Sequence, residues 1–460
     1  MNSFSSRSGQ LLTNCDERLE WDRNHYWHAF TQMAEYEPLV VDRAEGVWLF
    51  DSTGRALLDG VSSMWCNVHG HRHPLIDKAI VEQLGRVSHV TSLGMSNSTT
   101  IDLVKRLVDI APDGLECVFF SSDGACAVEV ALKMAFQYWR QITSPQPQRN
   151  LFLALGEAYH GDTLGSVAVG GVSRFHAMFD PLLFDVVRGP CPDSYRLPPH
   201  IGPEDATAHY LGEYARLIET FQDRLVAVVV EPLVQGAAGM VMHPPGFLSG
   251  LRQLTRKYDI LLIADEVATG IGRSGRMWAC EWEQVQPDFL CTGKGLTGGY
   301  LPMAATITTR AVWDAFLGNY EDSKSFFHGH TFGGNPLAAA AALATLNLFE
   351  TEETLANVER QGAYLETCLK PLESHRHVGS IRRKGLMAAV ELVANRESQT
   401  PFPWTERRGW KACQAALDRE VWLRPLGNVI VIMPPLCSRE EHIEQLAAAV
   451  IHGVQAATVV

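Results

Sequence analysis

Between about residues 75 and 340, short apolar runs alternate with stretches whose apolar residues recur at helical spacing. The runs 117–121, 151–155, 225–230, 260–264, 289–292 and 304–308 predict strands, and several are near-continuous, as in strands covered on both faces. Between them Ala127, Ala131, Met134, Ala135, Tyr138 and Trp139 recur at helical spacing, and residues 246–258 behave similarly. This alternation predicts a doubly wound α/β domain. Upstream, residues 36–60 alternate apolar runs with the turn residues Asp51-Ser52-Thr53-Gly54 and predict a small antiparallel unit. Beyond about 350 the order becomes helix, then strands within 377–392 and 421–433, with helices at 405–420 and 438–459. That order predicts a second, smaller α+β domain. The Pro/Gly-rich stretch 189–204 reads as a long surface excursion.

The alanine-rich run 337–346 predicts a buried helix. It is half the ~20 apolar residues that span a bilayer, so no membrane segment is expected. Residues 1–20 are polar, lack an apolar signal core and read as a frayed extension. With 460 residues, 46% of them hydrophobic, the chain can bury a large core and is not a disordered one. Its 39 Lys and Arg against 52 Asp and Glu leave a net charge of −13, which lacks the basic footprint of a general nucleic-acid binder. The ten cysteines are scattered and none form a C-x-x-C pair. They read as reduced core residues of a cytoplasmic protein.

Several motifs invite chemistry and fail on context. Residues 270–275 match G-x-G-x-x-G, but the run opens no clear amphipathic helix and follows Asp265 and Glu266, which disfavours a dinucleotide site. Gly293-Lys294-Gly295 lacks the first P-loop glycine, since Asp288 stands there, and no Ser or Thr follows the lysine. His69, His71 and His73 alternate without an accompanying carboxylate or cysteine cluster. They suit a turn of hydrogen-bonding histidines better than a zinc site, and no metal is expected.

Three other fragments are more informative together than apart. Lys294 follows an apolar strand and sits among glycines, which suits a desolvated amine able to form a Schiff base; a solvated loop lysine fits the fragment equally well. Asp265 ends the apolar run 261–264, at the sheet edge where α/β proteins bind ligands. There it could hold a ring nitrogen protonated, or simply cap a loop. Ser121-Ser122-Asp123-Gly124-Ala125 precedes the helix at Ala127 and offers an anion site or an ordinary N-cap by Ser122 or Asp123. Phosphate, pyridine nitrogen and aldehyde are the three groups by which pyridoxal phosphate is held.

With those residues in place, the chain resembles the class III pyridoxal-phosphate aminotransferases from about Trp27 to Val454. The carrier is the block 261–299, LLIADEVATGIGRSGRMWACEWEQVQPDFLCTGKGLTGG, including the spacing from Asp265 to Lys294. Further pieces are Trp27-His28-Ala29-Phe30-Thr31, Asp59-Gly60-Val61-Ser62-Ser63-Met64-Trp65, Ala158-Tyr159-His160-Gly161-Asp162-Thr163, His328-Gly329-His330-Thr331 and Arg424-Pro425-Leu426-Gly427. Within the class these pieces are most similar to the enzymes that make 7,8-diaminononanoate in biotin synthesis.

The resemblance implies the fold type I architecture of pyridoxal-phosphate-dependent transferases. Residues 76–345 would form the large, doubly wound, mainly parallel-sheet domain, and 346–460 the smaller α+β domain, to which 1–75 also belongs. It implies pyridoxal 5'-phosphate as cofactor and conversion of 8-amino-7-oxononanoate with S-adenosylmethionine or L-lysine as amine donor. An ω-amino acid:pyruvate aminotransferase is the alternative. Position by position, Lys294 would join the cofactor aldehyde, Asp265 pair with its ring nitrogen, and Gly124 and Ala125 bind its phosphate. Tyr159 would stack on its ring. His330 and Thr331 would reach the phosphate from the partner subunit of a homodimer. Phe30, Trp65, Gly329 and Arg424 would line the substrate site with Tyr159 and Lys294, Arg424 pairing to a carboxylate. Two residues depart from the pattern. Ala125 stands where many members carry Ser. Phe30 stands where S-adenosylmethionine users carry Tyr, which with Gly298-Gly299-Tyr300-Leu301-Pro302 leans toward L-lysine.

Overall fold

The computed structural model describes residues 15–459. In chain order its strands are β1 (Val41–Glu45), β2 (Trp48–Asp51), β3 (Ala56–Asp59), β4 (Leu115–Ser121), β5 (Leu151–Leu155), β6 (Val186–Gly189) and β7 (Leu225–Val230). Next come β8 (Val234–Gln235), β9 (Val241–Met242), β10 (Leu261–Asp265), β11 (Phe289–Thr292) and β12 (Ala304–Thr309). The last are β13 (Val378–Lys384), β14 (Met387–Asn395), β15 (Thr400–Pro401), β16 (Val421–Trp422), β17 (Arg424–Leu426) and β18 (Val429–Ile432).

The central sheet runs β4-β12-β11-β10-β7-β5-β6. All its pairings are parallel except those of β12, which is antiparallel to both β4 and β11. Every residue of β5, β7, β10 and β11 is buried, which is why these segments read as continuous rather than alternating apolar runs. The two faces are still distinct. Val226 and Val229 of β7 join the cluster around the helix Gly124–Gln141, while Val228 and Val230 join Tyr210, Tyr214, Phe247 and Leu251 from the helices Ala206–Phe221 and Phe247–Lys257. On the first face Trp139 buries its ring and donates Nε1–H to the Val226 carbonyl at 2.9 Å.

The expected antiparallel unit is present as β1-β2-β3, its turn closed by Asp51 Oδ1, which accepts from the Thr53 and Arg55 N–H groups at 2.9 and 3.0 Å. The far end of the chain extends it: β16 pairs in parallel with β3, Val421 opposite Leu58. A second sheet runs β13-β14-β18-β17 with β15 beside β14; the helices Thr354–Leu369 and Arg408–Leu417 pack on it, and Glu440–Thr458 packs on those two helices. The alanine-rich helix Pro336–Thr351 is buried as expected, with Pro336 at its first position and Asn335 Oδ1 accepting from the Leu337 and Ala338 N–H groups.

One expectation is extended and one needs correction. Residues 190–204 are the expected surface excursion without helix or strand, but other elements tie them down. Tyr214 and Tyr210 hydroxyls donate to the Pro190 and Asp193 carbonyls at 2.7 and 3.2 Å, and Arg196 pairs with Glu391 of β14. Side chains from elsewhere add to the few hydrogen bonds that the Pro/Gly-rich backbone makes to itself. Of the expected frayed extension, residues 1–14 lie outside the described residues. From Cys15 to His25 the chain is a helix, with Asp16 and Glu17 in its first turn and Arg23 and His25 in its last, matching the helix dipole.

Candidate active site

The carboxyl ends of β4, β7, β10 and β11 open on one cavity of about 710 Å³. Its walls include Trp65, Gly124, Ala125, Tyr159, Glu231, Asp265 and Lys294.

Asp265 is the last residue of β10 and is 4% exposed. Its Oδ1 accepts from the Val267 N–H at 3.0 Å and its Oδ2 lies 2.7 Å from His160 Nδ1. His160 is buried, so the carboxylate is oriented from behind by an imidazole that contacts no solvent. Lys294 follows β11 with φ +39, opens a single 3₁₀ turn and is half-buried. Burial pushes its pKa below the ordinary lysine value, against the opposing charges of Asp265 and Glu231. Among the described residues the amine makes no hydrogen bond or ion pair, and it stands 5.4 Å from the Trp65 ring centroid.

The helix Gly124–Gln141 points its N-terminus into the cavity. Asp123 is the N-cap and accepts from Cys126 N–H at 2.9 Å, which decides between the two capping candidates. The helix itself offers no acceptor for the N–H groups of Gly124 and Ala125. A Cβ on Gly124 would lie 2.5 Å from Val267 Cγ1, so glycine is what lets the helix start pack against the loop after β10. Tyr159 donates its hydroxyl to Asp162 Oδ2 at 2.7 Å, and its pKa is raised by burial and by that carboxylate.

One residue that the sequence reading missed belongs here. Glu231, directly after β7, is 4% exposed and accepts from the Tyr159 and Gly236 N–H groups at 3.1 and 3.0 Å. Burial is the main cause that pushes its pKa up to about 7, the nearby Asp265 adding to it and His160 opposing. The signal was available: an apolar run ending in an acid, the pattern that singled out Asp265.

Other predicted site residues stand apart within one chain. Phe30 is 56% exposed, its ring 5.5 Å from Phe175, which in turn lies 6.4 Å from Tyr159. Arg424 is half-buried on β17 and does not line the cavity. Gly329 and Thr331 are exposed, while His330 Nδ1 lies 3.2 Å from Oγ of Ser122, a residue of the cavity wall.

The discounted motifs resolve as structure. His69, His71 and His73 bond Thr345, Asp59 and Glu352, and among the described residues no His, Cys, Asp or Glu group is arranged for a metal. Residues 270–275 form a run of turns through which buried Arg273 reaches the Pro434 and Asn67 carbonyls. The nine cysteines from Cys66 to Cys437 are free, and among the described residues no helix is long and apolar enough to cross a membrane.

A mainly parallel sheet whose strand ends present a buried acid, an uncommitted lysine and a helix N-terminus defines a class, and the model of the class III aminotransferases matches residues 31–454. The chain belongs to that family and is an enzyme of it. It is 51% identical over 440 residues to the adenosylmethionine-8-amino-7-oxononanoate aminotransferase of Nitratidesulfovibrio vulgaris, covering 95% of this chain and 81% of that one. It is 47% identical to the enzyme of the same name from Geobacter sulfurreducens, covering 95% and 97%. Among solved structures, the adenosylmethionine-8-amino-7-oxononanoate aminotransferase of Methanocaldococcus jannaschii superposes with a TM-score of 0.92 at 39% identity, covering 97% of this chain and 100% of that one. An amine transaminase from an uncultivated Pseudomonas species, in its PLP-bound form, gives 0.89 at 35% identity, covering 94% and 98%.

Proposed function

We propose that this enzyme binds pyridoxal 5'-phosphate and converts 8-amino-7-oxononanoate to 7,8-diaminononanoate, with S-adenosylmethionine as amine donor. The observation that carries the cofactor assignment is the convergence of Asp265, Lys294 and the Gly124 helix start on one cavity. The residues fit the group: an amine without a partner for the aldehyde, a carboxylate backed by His160 for the ring nitrogen, and unpaired N–H groups of Gly124 and Ala125 for the phosphate. Tyr159, which lines the same cavity, would cover the ring. When bound, the cofactor supplies an electron sink for the carbon that loses its proton.

The chain's own residues do the rest. Burial lowers the proton affinity of Lys294 Nζ, so its neutral form is within reach as the base that takes a substrate proton and returns it. Asp265, held by His160 and the Val267 N–H, would pair with the cofactor's ring nitrogen and favour its protonated form. Trp65, Tyr159 and Gly299 to Met303 line the space left for substrate. Arg424 would pair with the acceptor's carboxylate. A partner subunit would bring His330 and Thr331 to the phosphate and Gly329 to the substrate site, as the exposure of Gly329 and Thr331 in one chain supports. The pairing of β3 with β16 supports a small domain built from 1–75 and 346–460, beside a large one from 76–345. The dispersed free cysteines support a cytoplasmic, reducing location.

A second reading concerns the donor only. Phe30 offers a ring without a hydroxyl near Phe175, which favours L-lysine. Purified enzyme with 8-amino-7-oxononanoate and, in turn, S-adenosylmethionine, L-lysine and alanine tests both readings. Product is expected with S-adenosylmethionine; product with L-lysine alone selects the second reading; product only with alanine overturns the acceptor assignment in favour of an ω-amino acid:pyruvate aminotransferase.

A further inference from the structure

The segment that carries Trp65 into the cavity has an uncommon backbone. Ser62, Ser63, Met64 and Trp65 have φ of +51, +46, +72 and +68, four consecutive left-handed residues without a glycine among them. L-residues adopt such a turn only when the surroundings hold it, and such strain collects at functional sites. Here the holding groups are identifiable. Asp59, at the end of β3 and fully buried, accepts from Ser63 N–H on Oδ1 at 2.9 Å and from Ser63 Oγ–H on Oδ2 at 2.7 Å. His71 Nε2 fixes the same Oδ2 from the other side at 3.1 Å. Ser62 Oγ donates to the Met433 carbonyl at 2.6 Å. The turn ends with the Trp65 ring 5.4 Å from Lys294 Nζ and its Cζ3 3.2 Å from where a side chain on Gly236 would begin.

We propose that Asp59 is a positioning residue for the acceptor site: its two bonds to Ser63 hold the left-handed turn that sets Trp65 as the cavity wall beside Lys294. The inference rests on the reading of this cavity as the substrate site. A right-handed turn at 62–65 would redirect the indole away from Lys294. Asp59 does not line the cavity, so its effect reaches substrate through the turn, whose Trp65 and Cys66 do. Asp59 pairs with Trp422 of β16, which stands two residues before Arg424 of β17, and this ties the same wall to the strand that bears the predicted carboxylate partner.

The test uses full-length enzyme loaded with cofactor and five variants: Asp59→Ala, Ser63→Ala, Met64→Gly, Asp59→Ala/Met64→Gly and Asp59→Ala/Met64→Ala. Glycine accepts positive φ without help, whereas alanine does not. Asp59→Ala is expected to raise the KM for the oxo acceptor about tenfold with a smaller change in kcat, and Ser63→Ala to do so more weakly. Met64→Gly should recover most of the KM lost by Asp59→Ala, and Met64→Ala none. The independent readout is 5-fluorotryptophan NMR with the Trp65 resonance assigned by Trp65→Phe. That resonance should shift in Asp59→Ala, return with Met64→Gly, and do so in cofactor-free protein as well. If Asp59→Ala does not fold, Ser63→Ala carries the same two readouts. An unmoved Trp65 resonance, a fall in kcat at constant KM, or equal rescue by glycine and alanine overturns the proposal. If wild-type enzyme fails to turn over 8-amino-7-oxononanoate, the functional reading fails alone, and the NMR series still decides the role of Asp59.

Discussion

Asp265 and Lys294 reach the cavity from the ends of neighbouring parallel strands, whereas Trp65 reaches it from a turn whose four residues all carry positive φ. The first pair needs little beyond the sheet. β10 and β11 are buried, regular and in register, Asp265 lying opposite Cys291, so the two functional groups leave the sheet at one edge. The second wall is held by side-chain bonds, one local from Asp59 four residues back and one distant to the Met433 carbonyl. Groups on regular elements are placed by the ladder itself, while a group on a strained segment is placed only as long as its supports remain. Loss of a sheet-borne group should therefore damage chemistry and leave the architecture, and loss of a support should damage substrate fit.

The sharpest way to break this contrast is Lys294→Ala. Transamination is expected to fall by at least roughly 10²–10⁴-fold, with loss of the yellow absorbance of the lysine-bound cofactor and an unchanged fold. Wild-type turnover in that variant, measured in a single half-reaction, would defeat the assignment. Next, Asp265→Ala should cost roughly 10²–10³-fold in kcat, because a preorganised buried charge is removed, with a smaller effect on acceptor KM. An effect confined to KM would place Asp265 with Trp65 on the substrate side of the comparison.

Glu231 should show itself in pH dependence. Its folded-state pKa of about 7 lies above the glutamate value of 4.5, so between those pH values the native state holds a proton that the unfolded chain has released. The stability from that proton is complete below about pH 4.5 and is lost as pH rises to about 7. Glu231→Gln should therefore flatten the fall of the melting temperature across that window; a slope equal to wild type would place the titration elsewhere. The smallest effect is expected from Asp123→Ala. It removes one N-cap bond for about 1 kcal/mol of stability, and should weaken binding of pyridoxal phosphate, measured by equilibrium dialysis, more than it changes kcat.

Much of the first wall was legible before any coordinates. A run such as LLIAD at 261–265 announces a buried strand with an acid at its end, and glycines around Lys294 announce a backbone that a ligand can approach. Glu231 was written in the same code, at the end of LVAVVV, and was overlooked because no cofactor atom had been assigned to it. The second wall was legible only as a set of residue names. Nothing in Ser62-Ser63-Met64-Trp65 announces four left-handed residues, since none is the glycine or asparagine that marks positive φ. The packing of 189–204 was hidden for a related reason: Pro/Gly content reports what a segment cannot bond to itself, and the tyrosines that bond it lie in another element.

By itself the amino-acid sequence determined the alternation of buried strands and amphipathic helices, the residues at the strand ends and the chemistry they could support, because period and strand-end position are local properties of the chain. The tertiary structure decided that β3 joins β16 across the chain, that Asp123 rather than Ser122 caps the helix that starts in the cavity wall, and that His160 stands behind Asp265. It also decided that Asp59 holds the turn bearing Trp65. The first and third depend on which distant groups come within hydrogen-bonding reach, which the packed sheets set; the two local bonds depend on backbone angles that residue type alone does not announce.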